Sequence, residues 1–329
     1  MTAITLSEIE AARRRIEGKV EPTATALSAS LSEIAGVPVF LKMEHRQTTG
    51  SFKLRGASNA VAQLDANARR RGVVAASTGN HGRALAYAAK LEGVRAVICM
   101  SRLVPDNKIA EIRRLGADIR IFGNSQDNAQ DEADRLVETD GLTMVPPFDN
   151  ADVIAGQGTV GLEMMEAVPA VRTVLVQLSG GGLAAGVAAA VKGLSPSTRV
   201  IGVSIQRGAA MKASLDVGRP VPVEEVPTLA DSLGGGIGLS NRFTFAMCRK
   251  LLDDVVLLTE TEIAAGIRHA YAMEREIVEG AGAVGIAAIL AGKVKLKGET
   301  IVLLSGRNID MDLHSRIVGG DWVEGRDAA

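Results

Sequence analysis

The 329-residue chain is 47% hydrophobic and 23% charged, which suits a soluble globular protein of two domains or one large one. Its net charge of −1 and aromatic content of 3% exclude the basic surface and the stacking platforms that nucleic-acid binding requires. Two distant cysteines, Cys99 and Cys248, exclude a disulfide framework and a CxxC metal pair, and no apolar run reaches the ~18 residues of a membrane span.

In chain order, no basic stretch followed by a long apolar run opens the sequence, so no signal peptide is read and a reducing, cytoplasmic setting is expected. The run 37–42 reads as a strand, followed by strands at 72–76, 95–100 and 118–122, a helix at 125–138 and a short strand at 143–145. Pro146-Pro147-Phe148-Asp149 stops regular structure and reads as a crossing between two units. Beyond it, strands at 173–178, 199–203, 254–258 and 300–304 alternate with helices, among them an alanine-rich one at 183–192 and another at 261–275. Such alternation implies βαβ units and mostly parallel sheets, an α/β class. The polar tail after Gly319-Gly320, which carries the single tryptophan, Trp322, is expected to be peripheral.

Three polar loops follow predicted strands, at the carboxyl edge where open α/β sheets bind ligands. Leu178-Ser179-Gly180-Gly181-Gly182-Leu183 joins a strand to a helix. Contiguous glycines let backbone N–H groups converge on an anion, aided by the positive end of the helix. The plain alternative is a tight connection without a ligand. No GK[ST] follows and the spacing is not GxGxxG, so neither a Walker loop nor a dinucleotide-binding oxidoreductase is indicated. Ser77-Thr78-Gly79-Asn80-His81 offers hydroxyls and N–H groups to a carboxylate, or simply an N-cap. His81 reads as a structural hydrogen-bonding residue rather than a base. Ser305, in Leu304-Ser305-Gly306-Arg307-Asn308, is a cap or a ligand contact.

Lys53 sits in Thr49-Gly50-Ser51-Phe52-Lys53-Leu54-Arg55-Gly56, ahead of a helix-like run. A lone lysine is ordinarily solvated. Beside a phosphate cradle and a polar loop, it is the amine a pyridoxal phosphate site needs, because the aldehyde is held by an amine and the phosphate must be anchored. The histidines His45, His81, His269 and His314 show no metal-ligand spacing. Glu274 and Glu276 read as solvated, whereas Glu279 opens the loop Glu279-Gly280-Ala281-Gly282.

Taken in order, Ser51-Phe52-Lys53-Leu54-Arg55-Gly56, Ser77-Thr78-Gly79-Asn80-His81-Gly82, Ala155-Gly156-Gln157-Gly158-Thr159, Gly180-Gly181-Gly182-Leu183 and Ser305-Gly306-Arg307-Asn308 resemble fold-type II pyridoxal phosphate enzymes of the threonine dehydratase and serine racemase family. The resemblance spans essentially the whole chain, 4–318. It implies a tryptophan synthase β-like fold, with two open, twisted, mostly parallel sheets flanked by helices. It further implies a large cofactor-binding domain of residues 1–46 and 149–320, a small domain of 47–148, a tail of 321–329, and a homodimer. The implied cofactor is pyridoxal 5'-phosphate, the partner a small amino acid, and the reaction loss of water from a β-hydroxy-α-amino acid. The product then hydrolyses to a 2-oxo acid and ammonia.

By this resemblance Lys53 carries the cofactor and moves the α-proton, and Thr78 presents a hydroxyl on the opposite ring face, where it would serve a racemase. Phe52 lies beside the ring, Asn80 donates to its phenolic oxygen, and Ser305 approaches the pyridine nitrogen. Ser179, Gly180, Gly181, Gly182 and Leu183 hold the phosphate. Ser77, Thr78 and His81 line the substrate-carboxylate side, with Gly235 and Arg307 completing the substrate set. A hydroxyl rather than a carboxylate at the pyridine nitrogen leaves the ring less positive and favours β-elimination over transamination. Joint retention of Lys53, Asn80 and Ser305 argues against a non-catalytic binding protein.

The sequence also departs from the family pattern. Ser204 and Ala210 stand where metal-activated relatives carry acidic ligands, so no metal is expected there. Ser232 and Arg307 each replace a glycine, and Gly280 replaces a proline. Several strings, among them His45-Arg46-Gln47-Thr48-Thr49-Gly50 and Leu233-Gly234-Gly235-Gly236-Ile237-Gly238, resemble the dehydratases of hydroxyectoine utilisation. That branch implies a hydroxylated diaminobutyrate-type substrate, with threonine, serine or 3-hydroxyaspartate as the alternatives. Arg307 is expected to hold a polar group of that substrate.

Overall fold

The nine strands read from the sequence all form, each within two residues of its expected ends, and a tenth joins them. The computed structural model describes residues 4–324 except Thr78 and Pro105, leaving aside the side chains of 106–108. In chain order the strands are β1 Thr25–Ser28, β2 Val39–Lys42, β3 Val73–Ala76, β4 Ala96–Met100, β5 Asp118–Ile121, β6 Thr143–Met144, β7 Thr173–Gln177, β8 Arg199–Ile205, β9 Asp254–Leu258 and β10 Thr300–Leu303. They build a six-stranded sheet, β1-β2-β10-β7-β8-β9, and a four-stranded sheet, β5-β4-β3-β6. Every pairing is parallel except that of β1 with β2.

β3, β4, β7 and β10 are buried at every position, as expected of near-continuous aliphatic runs covered on both faces. Each fully buried aliphatic side chain contributes roughly 1.5–3 kcal/mol. Covering helices Ala151–Ala167, Gly182–Leu194 and Gly280–Leu290 are rich in alanine and glycine because their backbones approach closely. A Cβ on Gly186 would lie 2.4 Å from the Ile154 carbonyl oxygen, so Gly186→Val would force two of these helices apart.

Elements beyond those expected include β1 and the first helix, Leu6–Ile16. β1 is a short edge strand with Leu27 exposed, so it carries no burial alternation. Helix Leu6–Ile16 opens on a Thr5/Glu8 capping box, a signal that was legible at 5–8, and buries Ile9, Ala12 and Ile16. Two expectations are corrected. Trp322 packs against a hydrophobic core instead of lying fully at the periphery. Glu276 is buried, bound by His45 and Arg46, and Glu274 accepts hydrogen bonds from Ser28 and Ser30, because both acids face polar partners supplied by the β1 and β2 segments.

The strand orders position the site. In the large sheet the chain runs β7-β8-β9 to one side and places β10 on the other side of β7; in the small sheet it runs β3-β4-β5 and places β6 on the other side of β3. Loops leaving such neighbouring strands diverge and open a crevice at the carboxyl edge. The loops after β7 and β10, and those after β3 and β6, all contribute to one cavity.

Candidate active site

The cavity has a volume of about 320 Å3. Lys53 enters it from the first position of helix Lys53–Ala62. This helix start is anchored from both sides. The Phe52 N–H donates to the Ser305 carbonyl oxygen over 3.0 Å, and Ser51 bridges to Gly306. Two residues further along the helix, Arg55 is fully buried and forks between Glu44 and Glu163, donating to Glu44 Oε1 over 2.7 Å and to Glu163 Oε1 over 2.6 Å. Burial opposes the Arg55 charge, but the two carboxylates hold its pKa above the ordinary value. The Lys53 Nζ donates to the Pro147 carbonyl oxygen over 2.7 Å and lies 5.4 Å from the centre of the Phe52 ring. Burial pushes its pKa down to about 8, with the Glu279 carboxylate partly opposing the shift.

Opposite stands the glycine loop. Gly181 has φ +88° and opens helix Gly182–Leu194 without any side-chain cap, so the first N–H groups of that helix keep no intrachain side-chain acceptor among the described residues. No side chain fits along the loop. A Cβ on Gly180 would lie 2.4 Å from the Phe148 ring, and one on Gly181 would lie 2.7 Å from Met211 Cε. Ser179 and Leu183 complete the lining on this side.

Asn80 begins helix Asn80–Leu91 and lines the cavity. Its Nδ2 donates to Glu279 Oε1 over 2.7 Å, and its Oδ1 accepts from Asn308 Nδ2 over 2.5 Å. Burial and the nearby Asp231 charge raise the Glu279 pKa to about 7, against the bonds donated by Asn80 and the Asn308 N–H. His81 Nε2 donates to the Val145 carbonyl oxygen over 2.7 Å. Burial and the neighbouring Lys53 charge push its pKa down to about 3, so the ring is neutral at physiological pH. Ser77 Oγ accepts from the Gly82 N–H over 3.1 Å while lining the cavity, and the buried Ser305 lines it from the large sheet.

The structure therefore gathers Phe52, Lys53, Ser77, Asn80, His81, Ser179, Gly180, Gly181, Gly182, Leu183 and Ser305 around one space. Thr78 lies outside the described residues. Two members of the anticipated substrate set fall elsewhere. Gly235, at φ +88°, is not among the residues lining the cavity, although its neighbour Gly234 is. Arg307 is exposed and lines a second cleft with Arg46, Arg83 and Arg275, the Ser305–Asn308 loop turning its third residue away from the cavity that Ser305 lines. Ser232 does line the cavity, as do Gln126, Gln177 and Asp231, which sequence reasoning passed over. Gln177 had a signal: it is the one amide in a strand buried at every position, following Val174, Leu175 and Val176.

Residues 16–306 match the family described as pyridoxal-phosphate dependent enzyme. The chain belongs to this family. It is 63% identical over 321 residues, 97% of each chain, to a protein of Sinorhizobium fredii provisionally named a threonine dehydratase. It is 44% identical to the L-threonine ammonia-lyase of Thermotoga maritima, covering 98% of this chain and 80% of that protein. Among solved structures, maize serine racemase superposes with a TM-score of 0.90 at 33% identity, covering 95% of this chain and 96% of that one. The family's cofactor is pyridoxal phosphate, and the residues present fit it. The uncapped helix start suits a phosphate, the glycine cradle has no room for a Cβ, and a desolvated amine faces both. Gln177 Oε1, buried without a partner among the described residues, adds an unused acceptor.

Proposed function

We propose that the chain is a pyridoxal phosphate-dependent lyase that eliminates water from a β-hydroxy-α-amino acid, yielding a 2-oxo acid and ammonia. The observation that carries this reading is the partly desolvated Lys53 amine, with a pKa pushed down to about 8, facing an uncapped glycine loop across one cavity. When bound, the cofactor supplies the electron sink for the carbon that loses its proton. Lys53 holds and moves that α-proton, which a pKa near working pH suits. Gly180, Gly181 and Gly182 offer N–H groups to the phosphate, and Asn80 and Ser305 orient the ring. Ser77 and the start of helix Asn80–Leu91 receive the substrate carboxylate. Neutral His81 stays a hydrogen-bond donor rather than a base.

For the substrate we propose a β-hydroxy-α-amino acid more polar than threonine, of the hydroxylated diaminobutyrate type derived from hydroxyectoine. The sequence strings shared with that branch support it, as does the pairing of Asp231 and Ser232 at the cavity: an acidic group suits a second amine on the substrate. With Arg307 outside the cavity, no arginine among its described lining residues repels such an amine. The second reading, a threonine or serine ammonia-lyase, is favoured by the names of the two relatives. A large domain of residues 1–46 and 149–320, a small domain of 47–148, assembly as a homodimer and a cytoplasmic setting belong to the same proposal. The deciding experiment compares kcat/KM for threonine, serine, 3-hydroxyaspartate and a hydroxylated diaminobutyrate derivative, with wild type, Ser232→Gly and Arg307→Gly. The proposal expects the diamino compound to rank first, Ser232→Gly to narrow its lead, and Arg307→Gly to leave the ranking unchanged. Threonine ranking first in all three proteins would establish the second reading.

A further inference from the structure

Glu279 occupies the position just before helix Gly280–Leu290, where a short polar side chain ordinarily caps the helix, yet its carboxylate makes no capping bond. It is turned into the cavity wall instead. Its Oε1 accepts from Asn80 Nδ2 over 2.7 Å, and its Oε2 accepts from the Asn308 backbone N–H over 3.0 Å. The surrounding glycines make room for this arrangement. A Cβ on Gly306 would stand 2.5 Å from Glu279 Oε1, and one on Gly50 would stand 2.5 Å from Asn308 Oδ1.

These contacts leave Asn80 one orientation. Asn308 Nδ2 donates to the Thr49 carbonyl oxygen over 3.0 Å, which fixes which end of the Asn308 amide is the donor. That donor meets Asn80 Oδ1 over 2.5 Å, so a flipped Asn80 would set two NH2 groups against each other. On the other side, both Glu279 oxygens serve as acceptors, Oε1 for Asn80 Nδ2 and Oε2 for the Asn308 N–H, and the ionised carboxylate would repel Asn80 Oδ1. One N–H of Asn80 Nδ2 is spent on Glu279, and the second remains for the cavity that Asn80 lines. We propose that Glu279 is a positioning residue that acts through Asn80, fixing the amide so that its remaining N–H is presented to the cofactor ring. Glutamine in its place would set an NH2 group against the N–H of either Asn80 or Asn308, and the hold on Asn80 from this side would weaken, leaving Asn308 alone to orient the amide.

The inference rests on the reading of Asn80 as a ring contact, and a double-mutant cycle separates the two. Full-length wild type, Asn80→Ala, Glu279→Gln and the double variant are dialysed to equilibrium against pyridoxal 5'-phosphate. Bound cofactor is quantified and its absorption maximum recorded. Each single variant is expected to weaken retention by about tenfold and to shift the maximum. The double variant is expected to be no weaker than the weaker single, because both lose the same interaction. Losses that multiply to about a hundredfold, or an unchanged Glu279→Gln, would overturn the role of Glu279 alone. An unchanged Asn80→Ala would overturn the ring contact beneath it. Glu279→Asp, which keeps the charge but withdraws it by one methylene, runs through the same cycle, so that misfolding of the glutamine variant leaves the question decided.

Discussion

The Nζ of Lys53 donates a 2.7 Å hydrogen bond to the carbonyl oxygen of Pro147. The lysine comes from the segment joined to the six-stranded sheet, the proline from the loop that leaves β6 in the four-stranded sheet. The same loop carries Val145, whose carbonyl oxygen accepts from His81, and Phe148, which packs against Gly180 and Gly182. Asp149 then ties it to the 242–244 backbone through three N–H groups. One short strap thus places the amine, the histidine and the glycine loop relative to one another.

The desolvated amine gives a first prediction. Burial lowers the Lys53 pKa from the ordinary lysine value of 10.5 to about 8, so its uncharged, nucleophilic form appears at lower pH than in a solvated lysine. Trace labelling of cofactor-free protein with acetic anhydride across pH should give a Lys53 midpoint near 8. The sign for stability is the same: the unfolded chain holds this proton up to about pH 10.5, so folding gains from Lys53 as pH rises from about 8. A labelling midpoint above 10 would refute the desolvation.

Gly181→Ala tests the cradle. The φ of +88° is one that L side chains rarely adopt, and the added Cβ would crowd Met211, Cys248 and Thr244. A loss of about 1–3 kcal/mol of stability is expected, together with weaker cofactor retention. Thermal unfolding and equilibrium dialysis measure the two.

The large-scale fold was legible because parallel β strands buried on both faces are written as aliphatic runs, as in 173–177 and 300–303. Lys53, the glycine run and Ser305 were legible because each follows or faces a strand end. What escaped were relationships between distant segments. Pro147 could not announce that its carbonyl would receive Lys53, nor Glu279 that its carboxylate would be spent on Asn80 and Asn308. Arg307 misled for the complementary reason: sequence placed it two residues from a site contact, Ser305, but could not tell which way the loop turned it. Glu276 looked solvated because its partners, His45 and Arg46, lie more than two hundred residues earlier.

Arg55→Met tests the anchor of the lysine-bearing helix. It would leave Glu44, which is wholly buried, and Glu163 without their shared cation, although Lys42 stays paired with Glu163. Breaking a buried pair in this way costs about 3–5 kcal/mol. Urea unfolding should show a loss of that size, whereas a change below 1 kcal/mol would show that the cluster adds little.

His81 is expected not to titrate in the working range. Burial and the Lys53 charge hold its pKa down to about 3, and its Nε2–H is engaged with Val145. The unfolded chain therefore protonates first, and stability falls as pH drops from about 6.5 toward 3, by up to about 1.4 kcal/mol per pH unit from this group. Nitrogen NMR of the imidazole should show one neutral tautomer from about pH 5 to pH 9. A titration near 6.5 would place a base in the site and contradict this assignment.

The central claim is that Lys53 is the amine that holds the cofactor, and one chemical measurement tests it directly. The native protein, saturated with pyridoxal 5'-phosphate, is reduced with borohydride, digested and mapped by mass spectrometry. The account predicts a single pyridoxyl adduct, on Lys53, and its absence from Lys53→Ala together with all turnover. An adduct on any other lysine, or turnover surviving in Lys53→Ala, would contradict it.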